Sequence, residues 1–188
     1  MHNKYILLRH GETIYQAKNI KKIYSASDNL HLSLTKKGKK MIEKSAKELK
    51  DENIDMIFSS DFCRAKISAK IVSKELELPV IFDKRLREID MGIFKGRPVS
   101  DYENYFSSLY QKFSKKPLKG ESRRDVKKRL KSFYNETNKK YKNKTILVVS
   151  HGDPIWLMNG IVKGFTEKKI LANISNEKFY PKVAGYLM

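Results

Sequence analysis

The chain has 188 residues and a formal net charge of +19, from 40 Lys and Arg against 21 Asp and Glu. That length suits one domain with a sizeable core, and no apolar run reaches the roughly 18 residues of a membrane span. A lone cysteine, Cys63, excludes an internal disulfide, and the N-terminus lacks the charged and apolar regions of a signal peptide. A reducing cytoplasm is therefore the expected location.

The excess charge would draw anions of any kind. It is spread through Lys36–Lys40, Lys115–Lys119, Lys127–Lys131 and Lys139–Lys144, mostly on expected helix faces or at their ends. This reads as a solvated lysine surface, not a dedicated nucleic-acid site.

In chain order, Ile6-Leu7-Leu8 is a short apolar run that stops abruptly at Arg9-His10-Gly11, the pattern of a buried strand. A polar loop to about His31 follows. Ser33-Leu34-Thr35 opens a helix whose Gly38, Met41, Ile42, Ser45, Ala46 and Leu49 share one face. Residues 54–58 read as a second strand, ending at Ser59-Ser60-Asp61. The next helix carries Ala65, Ser68, Ala69, Val72 and Leu76 on one face.

Residues 79–82 are a short third strand. The least regular region runs from Arg85 to Gly120, with Gly92, Gly96, Pro98, Pro117 and several aromatics. A lid inserted into the sheet domain is expected at about 91–120. Ser122 with Asp125 makes a capping box, and the helix it opens aligns Val126, Leu130, Phe133, Tyr134, Thr137 and Tyr141. Residues 145–149 form the clearest strand and stop at Ser150-His151-Gly152. Asp153 before Pro154 suits an N-cap and first helical position, and Ile155–Val162 is apolar nearly all round. The tail from Asn173 can return an edge strand. Strands alternating with helices predict an α/β fold, a three-layer sandwich with a largely parallel sheet covered on both faces.

In such a sheet chemistry collects beyond the carboxyl ends of the strands. Arg9 and His10, Ser150 and His151, and Arg64 in the first turn after the second strand all fall there. Arginine offers a fork of donors for an anion, and histidine can attack or transfer protons near neutral pH. Three strand ends converging on donors favour an anion pocket. Competing chemistries lack their patterns: Ala69 stands where a cysteine phosphatase loop around Cys63 needs arginine, and no Walker lysine loop, zinc cluster or Gly-x-Ser-x-Gly occurs.

Leu8-Arg9-His10-Gly11-Glu12-Thr13 resembles the signature of the histidine phosphatase superfamily, in its phosphoglycerate mutase-like branch. Further stretches resemble family motifs in family order, from about residue 5 to 165. They are Leu34-Thr35-Lys36-Lys37-Gly38, Ser59-Ser60-Asp61-Phe62-Cys63-Arg64-Ala65, Leu86-Arg87-Glu88-Ile89-Asp90-Met91-Gly92, Gly120-Glu121-Ser122 and Val149-Ser150-His151-Gly152. The resemblance implies that His10 is the nucleophile and forms a phosphohistidine. It implies that Arg9, Arg64, His151 and Gly152 bind the phosphoryl oxygens and that Glu88 is the general acid. Gln16 stands near where many relatives carry a phosphate-binding asparagine.

No cofactor or metal is implied. Glu12 is expected to brace the loop. Phe94, Arg97, Tyr102 and Tyr105 either line the substrate mouth or pack on each other. His2 and His31 read as surface histidines.

The compact length favours a phosphatase acting on a small phosphorylated substrate, a phosphoprotein being a further option. One alternative is a phosphoglycerate mutase-type phosphotransferase. The other is a basic, inactive binder of RNA or other anions. Oligomeric state is left open.

Overall fold

The computed structural model describes residues 3–176 and 178–188, so His2 lies outside the described residues. Five strands, β1 (Lys4–Arg9), β2 (Met56–Ser59), β3 (Val80–Phe82), β4 (Thr145–Ser150) and β5 (Tyr186–Leu187), form one sheet in the order β3-β2-β4-β1-β5. The first four run parallel, and β5 returns antiparallel along β1 as the edge strand expected of the tail. Helices α1 (Ile14–Ala17), α2 (Ala26–His31), α3 (Lys36–Glu48), α4 (Cys63–Leu76), α5 (Val99–Asn104), α6 (Leu109–Ser114), α7 (Arg123–Lys140), α8 (Gly152–Val162) and α9 (Glu167–Leu171) surround it.

Alternation along each strand builds the layers. Ile6, Leu8, Ile57, Leu147 and Val149 pack with Ile42 and Ala46 of α3 and Ala69 and Val72 of α4. The intervening Tyr5, Leu7, Phe58, Ile146 and Val148 pack with Val126, Leu130 and Phe133 of α7 and Ile155–Met158 of α8. Each fully buried Leu, Ile or Val contributes about 1.5–3 kcal/mol, so the central strands are the best-held backbone. α8 is buried almost completely around its first nine residues, as its apolar sequence predicts.

Two expectations need correction. The stretch to His31 is not simply a loop: it holds α1 and α2, each closed by its own capping box, Thr13 with Gln16 and Ser25 with Asp28. Asp153 is also not the N-cap of α8. His151 takes that place with extended backbone, and Pro154 falls in the first turn, where its missing N–H breaks no intrahelical bond. Asp153 is then free to turn its carboxylate toward Arg123, 3.0 Å away.

Between β3 and α7 the chain leaves the sheet. It makes 3₁₀ turns at Lys84–Leu86 and Gly92–Phe94 and then the short helices α5 and α6. Phe94, Tyr102 and Phe106 form a small aromatic cluster of their own there, separate from the two large ones. Among the described residues no helix is long and apolar enough to cross a membrane.

Candidate active site

Pairing of β1 with β4 sets Arg9 beside Ser150, so the next residues of the two strands, His10 and His151, emerge side by side. Their ring centroids are 5.2 Å apart. The turn after β1 is fixed on both sides: His10 N–H donates to Ser150 O at 3.0 Å, and Ala184 N–H donates to His10 O at 3.0 Å. Gly11 is required by packing, because a Cβ there would lie 2.6 Å from the Gly38 carbonyl of α3. Glu12 braces the turn, accepting from Thr35 Oγ1 at 2.9 Å through its side chain and from Thr35 N–H at 2.9 Å through its carbonyl.

The Gly11 carbonyl lies 2.8 Å from His10 Nδ1. A carbonyl only accepts, so Nδ1 carries the proton and Nε2 keeps its lone pair. Arg64 Nε–H points at that lone pair from 3.3 Å. Arg64 enters from the first turn of α4 and is fully buried. Its Nη1 donates to Asn29 Oδ1 at 2.8 Å, and its guanidinium lies 4.1 Å from the Tyr24 ring centroid. Arg9 donates to Pro181 O at 3.1 Å and lies over Tyr180. His151 Nε2 pairs with Ser60 Oγ at 2.9 Å.

Three buried atoms of this group, Arg9 Nε, Arg64 Nη2 and His151 Nδ1, make no hydrogen bond within the protein. Burial, Arg64 and Arg9 hold His10 well below the ordinary histidine pKa. Burial, Arg64 and His10 do the same to His151. Both imidazoles are therefore neutral at pH 7, set between the Arg9 and Arg64 guanidiniums.

Glu88 follows the 3₁₀ turn after β3, and that turn is tied to β4 where Ser150 Oγ donates to Leu86 O at 2.6 Å. Its flanking arginines are occupied elsewhere: Arg87 grips Asp61 bidentately at 2.6 Å, and Arg85 binds Asp83 and Glu136. Glu88 accepts from Ile89 N–H at 3.0 Å. Burial first, then the Asp153 charge, push its pKa up to about 7. Glu88 and Arg64 share a cavity of about 210 Å³ whose other walls include Tyr24, Tyr102, Arg123, Asp153 and Tyr180.

Arg9, His10, Arg64 and His151 thus come together, with Glu88 facing the cavity that Arg64 lines. Gly152 opens α8 where a Cβ would lie 2.3 Å from the Tyr180 hydroxyl, so only glycine lets that ring approach. Gln16 is more distant in role. Its carbonyl oxygen accepts from Thr13 N–H at 3.0 Å and its amide donates to Tyr24 OH at 2.8 Å, so it reaches the group through Tyr24. Phe94, Tyr102 and Tyr105 pack on one another, yet Tyr102 also lines the cavity. His31 is exposed.

Sequence reasoning missed Tyr24, Asn29, Asp153 and Tyr180. The Ser25–Asp28 capping box is the signal that would have found the first two, since it fixes α2 and with it Asn29.

Residues 5–176 match the histidine phosphatase superfamily, branch 1. The chain is 31% identical over 160 residues to phosphoserine phosphatase 1 of Hydrogenobacter thermophilus, covering 82% of this chain and 74% of that protein. It is 26% identical over 163 residues to a probable phosphoglycerate mutase, GpmB, of Erwinia tasmaniensis, covering 84% and 74%. A solved structure of Entamoeba histolytica phosphoserine phosphatase with 3-phosphoglyceric acid superposes with a TM-score of 0.75 at 26% identity, over 98% of this chain and 88% of that one.

The chain belongs to the histidine phosphatase superfamily. Phosphomonoester hydrolysis, expected from its motifs, is the chemistry of this group.

Proposed function

We propose that His10 Nε2 attacks the phosphorus of a small phosphomonoester, while Arg9, Arg64 and His151 hold the phosphoryl oxygens. The N–P bond forms as the ester P–O bond breaks, and Glu88 gives its proton to the departing alkoxide. Water then attacks the phosphohistidine, Glu88 takes a proton from it, the N–P bond breaks and inorganic phosphate leaves. The observation that carries this reading is the set of buried, unpaired nitrogens around an imidazole whose Nε2 is left unprotonated. Phosphoryl transfer needs positioning and charge stabilisation at the equatorial oxygens above all. Gly152 would add its backbone N–H at the start of α8. Gln16 would act on the phosphate by setting Tyr24 under Arg64.

The segment at 91–120 serves as a lid that sets which alcohol fits. Small phosphorylated metabolites suit the cavity's volume of about 210 Å³. Phosphoserine and 3-phosphoglycerate, which the named relatives process or bind, are the first esters to try. A cytoplasmic site of action fits a single unpaired cysteine.

The test is hydrolysis of an aryl phosphate in the presence of a chelator, with His10→Ala and Glu88→Gln alongside. Metal-independent turnover lost in His10→Ala is the expected result. Equal activity in wild type and His10→Ala would overturn the mechanism. The GpmB relatives make mutase activity the second reading. It requires interconversion of phosphoglycerates stimulated by bisphosphoglycerate, with little phosphate released.

A further inference from the structure

Arg64 is fully buried, yet the groups that hold its guanidinium are neutral. Asn29 Oδ1 accepts from Nη1 at 2.8 Å, His10 Nε2 lies 3.3 Å from Nε, and the Tyr24 ring centroid is 4.1 Å away. A carboxylate in their place would neutralise the cation. An amide oxygen and an aromatic face aim it and leave its charge for an incoming anion.

Two of these holders share one short stretch of chain. The Tyr24 hydroxyl accepts from Gln16 Nε2 at 2.8 Å and lies 2.9 Å from Thr13 Oγ1, and its ring centroid is 4.4 Å from that of Tyr15. Asn29 sits in α2, whose start is fixed by the Ser25–Asp28 box, and Tyr15 OH donates to Asp28 Oδ2 at 2.7 Å. One set of bonds thus ties both holders to the turn after His10.

Just before Tyr24 the chain is bound to the 91–120 segment. Ile23 N–H donates to Arg97 O at 2.9 Å, Gly96 N–H to Ile23 O at 3.0 Å and Val99 N–H to Lys21 O at 3.0 Å, with Lys22 paired antiparallel to Pro98. Ile23 also packs on the cluster of Phe94, Tyr102 and Phe106. Tyr24 therefore stands where the segment, the His10 turn and Arg64 meet.

We propose that Tyr24 and Asn29 are positioning residues for Arg64, and that the 91–120 segment reaches the phosphoryl side through them. This rests on the phosphatase reading above, in which Arg64 holds a phosphoryl oxygen, and adds to it what aims that side chain. Elsewhere the segment answers to the alcohol. Its backbone bonds to residues 21–23 are the exception, and their loss is felt at phosphorus whatever the ester.

The experiment measures kcat/KM on an aryl phosphate, whose leaving group needs little help from an acid. Tyr24→Ala and Asn29→Ala are each made in wild type and in Arg64→Ala. A residue that acts through Arg64 has nothing left to act on once that side chain is gone. Each change should therefore cost roughly tenfold in wild type and less than about twofold in Arg64→Ala. A residue that merely supports the fold would cost the same factor in both. Tyr24→Phe keeps the ring against Arg64 and should cost about threefold in wild type only; it decides the matter if Tyr24→Ala does not fold.

Val99→Pro tests the link to the segment. It deletes the N–H that Lys21 O accepts, and it suits the first helical position of α5 because Pro98, at φ −56° and ψ 143°, has the extended backbone required before a proline. Val99→Ala, which keeps the N–H, is its reference. Val99→Pro should fall about threefold below that reference in wild type and match it in Arg64→Ala.

Equal factors in both backgrounds for Tyr24 and Asn29 overturn the positioning role. A Val99→Pro effect that is absent, or undiminished in Arg64→Ala, overturns the link to the segment. In either case, turnover that is lost in His10→Ala shows that the phosphatase reading stands without this proposal. Absence of any turnover removes both.

Discussion

The carboxyl edge of the sheet and the segment between β3 and α7 meet at one cavity, yet they are built differently. At the sheet edge every reactive side chain hangs from a strand end or a first helical turn, with backbone locked by the ladder bonds of β1, β4 and β5. The 83–122 segment is short turns and six-residue helices held by a three-ring aromatic cluster. On the reading proposed above, the first region acts at phosphorus and the second selects the alcohol behind it. Changes at the sheet edge should therefore depress turnover of every ester alike, whereas changes in the segment should separate one ester from another.

His10→Ala tests the first half most severely: kcat on any ester should fall by roughly 10⁴-fold or more, because the covalent step has no substitute. Arg64→Ala should follow, with a loss of about 10²–10³-fold that is similar for aryl and alkyl phosphates, as for removal of an oxyanion donor. A strong dependence of that loss on the leaving group would blur the division.

Glu88 lies at the boundary. Glu88→Gln should cost about 10²-fold on alkyl phosphates, which need a proton, and far less on aryl phosphates. Because the folded carboxyl is held up to about 7, it is protonated below that pH and ionised above it. Alkyl phosphate turnover limited by the first step should then decline as pH rises through about 7. Glu88→Gln should abolish this limb. The same raised value makes Glu88's contribution to stability complete below the ordinary carboxylate range and lost as pH climbs to about 7; thermal melts across that window, with and without the substitution, check it.

The smallest effect concerns the support of the turn. A Cβ on Gly38 would lie 2.2 Å from Glu12 O, so Gly38→Ala should destabilise by about 1–3 kcal/mol in denaturant melts. It should lower activity on all esters in proportion.

The sequence revealed most of the sheet edge because its features are local. An apolar run ending in Arg9-His10-Gly11, another ending in Ser150-His151-Gly152, and the Ser122–Asp125 box each depend on neighbours in the chain. The α1–α2 stretch carried equally local signals, Thr13 with Gln16 and Ser25 with Asp28, but short helices in a lysine-rich stretch lack the apolar stripe that announces a long one. Asp153 was misplaced because Asp-Pro is a good helix start in isolation. Its partners Arg123 and Tyr180 are 30 and 27 positions away (153 − 123 and 180 − 153), and only folding shows that the carboxylate is needed there. That Glu88 makes no ion pair among the described residues was equally hidden. Two arginines flank it in sequence, and the fold sends both to other acids.

The bonds that finish the turn at His10 come from late in the chain. Pro181 O receives Arg9, Gly185 O accepts from the Arg9 amide, Ala184 N–H donates to the His10 carbonyl, and Ser45 Oγ fastens Ala184. On the ribosome, then, the first strand is made early, but the turn at His10 lacks these bonds until residues 181–187 have emerged. If His10 is the nucleophile proposed above, a nascent chain halted before them would lack the finished turn, and bulky fusions placed against that segment would be felt at His10.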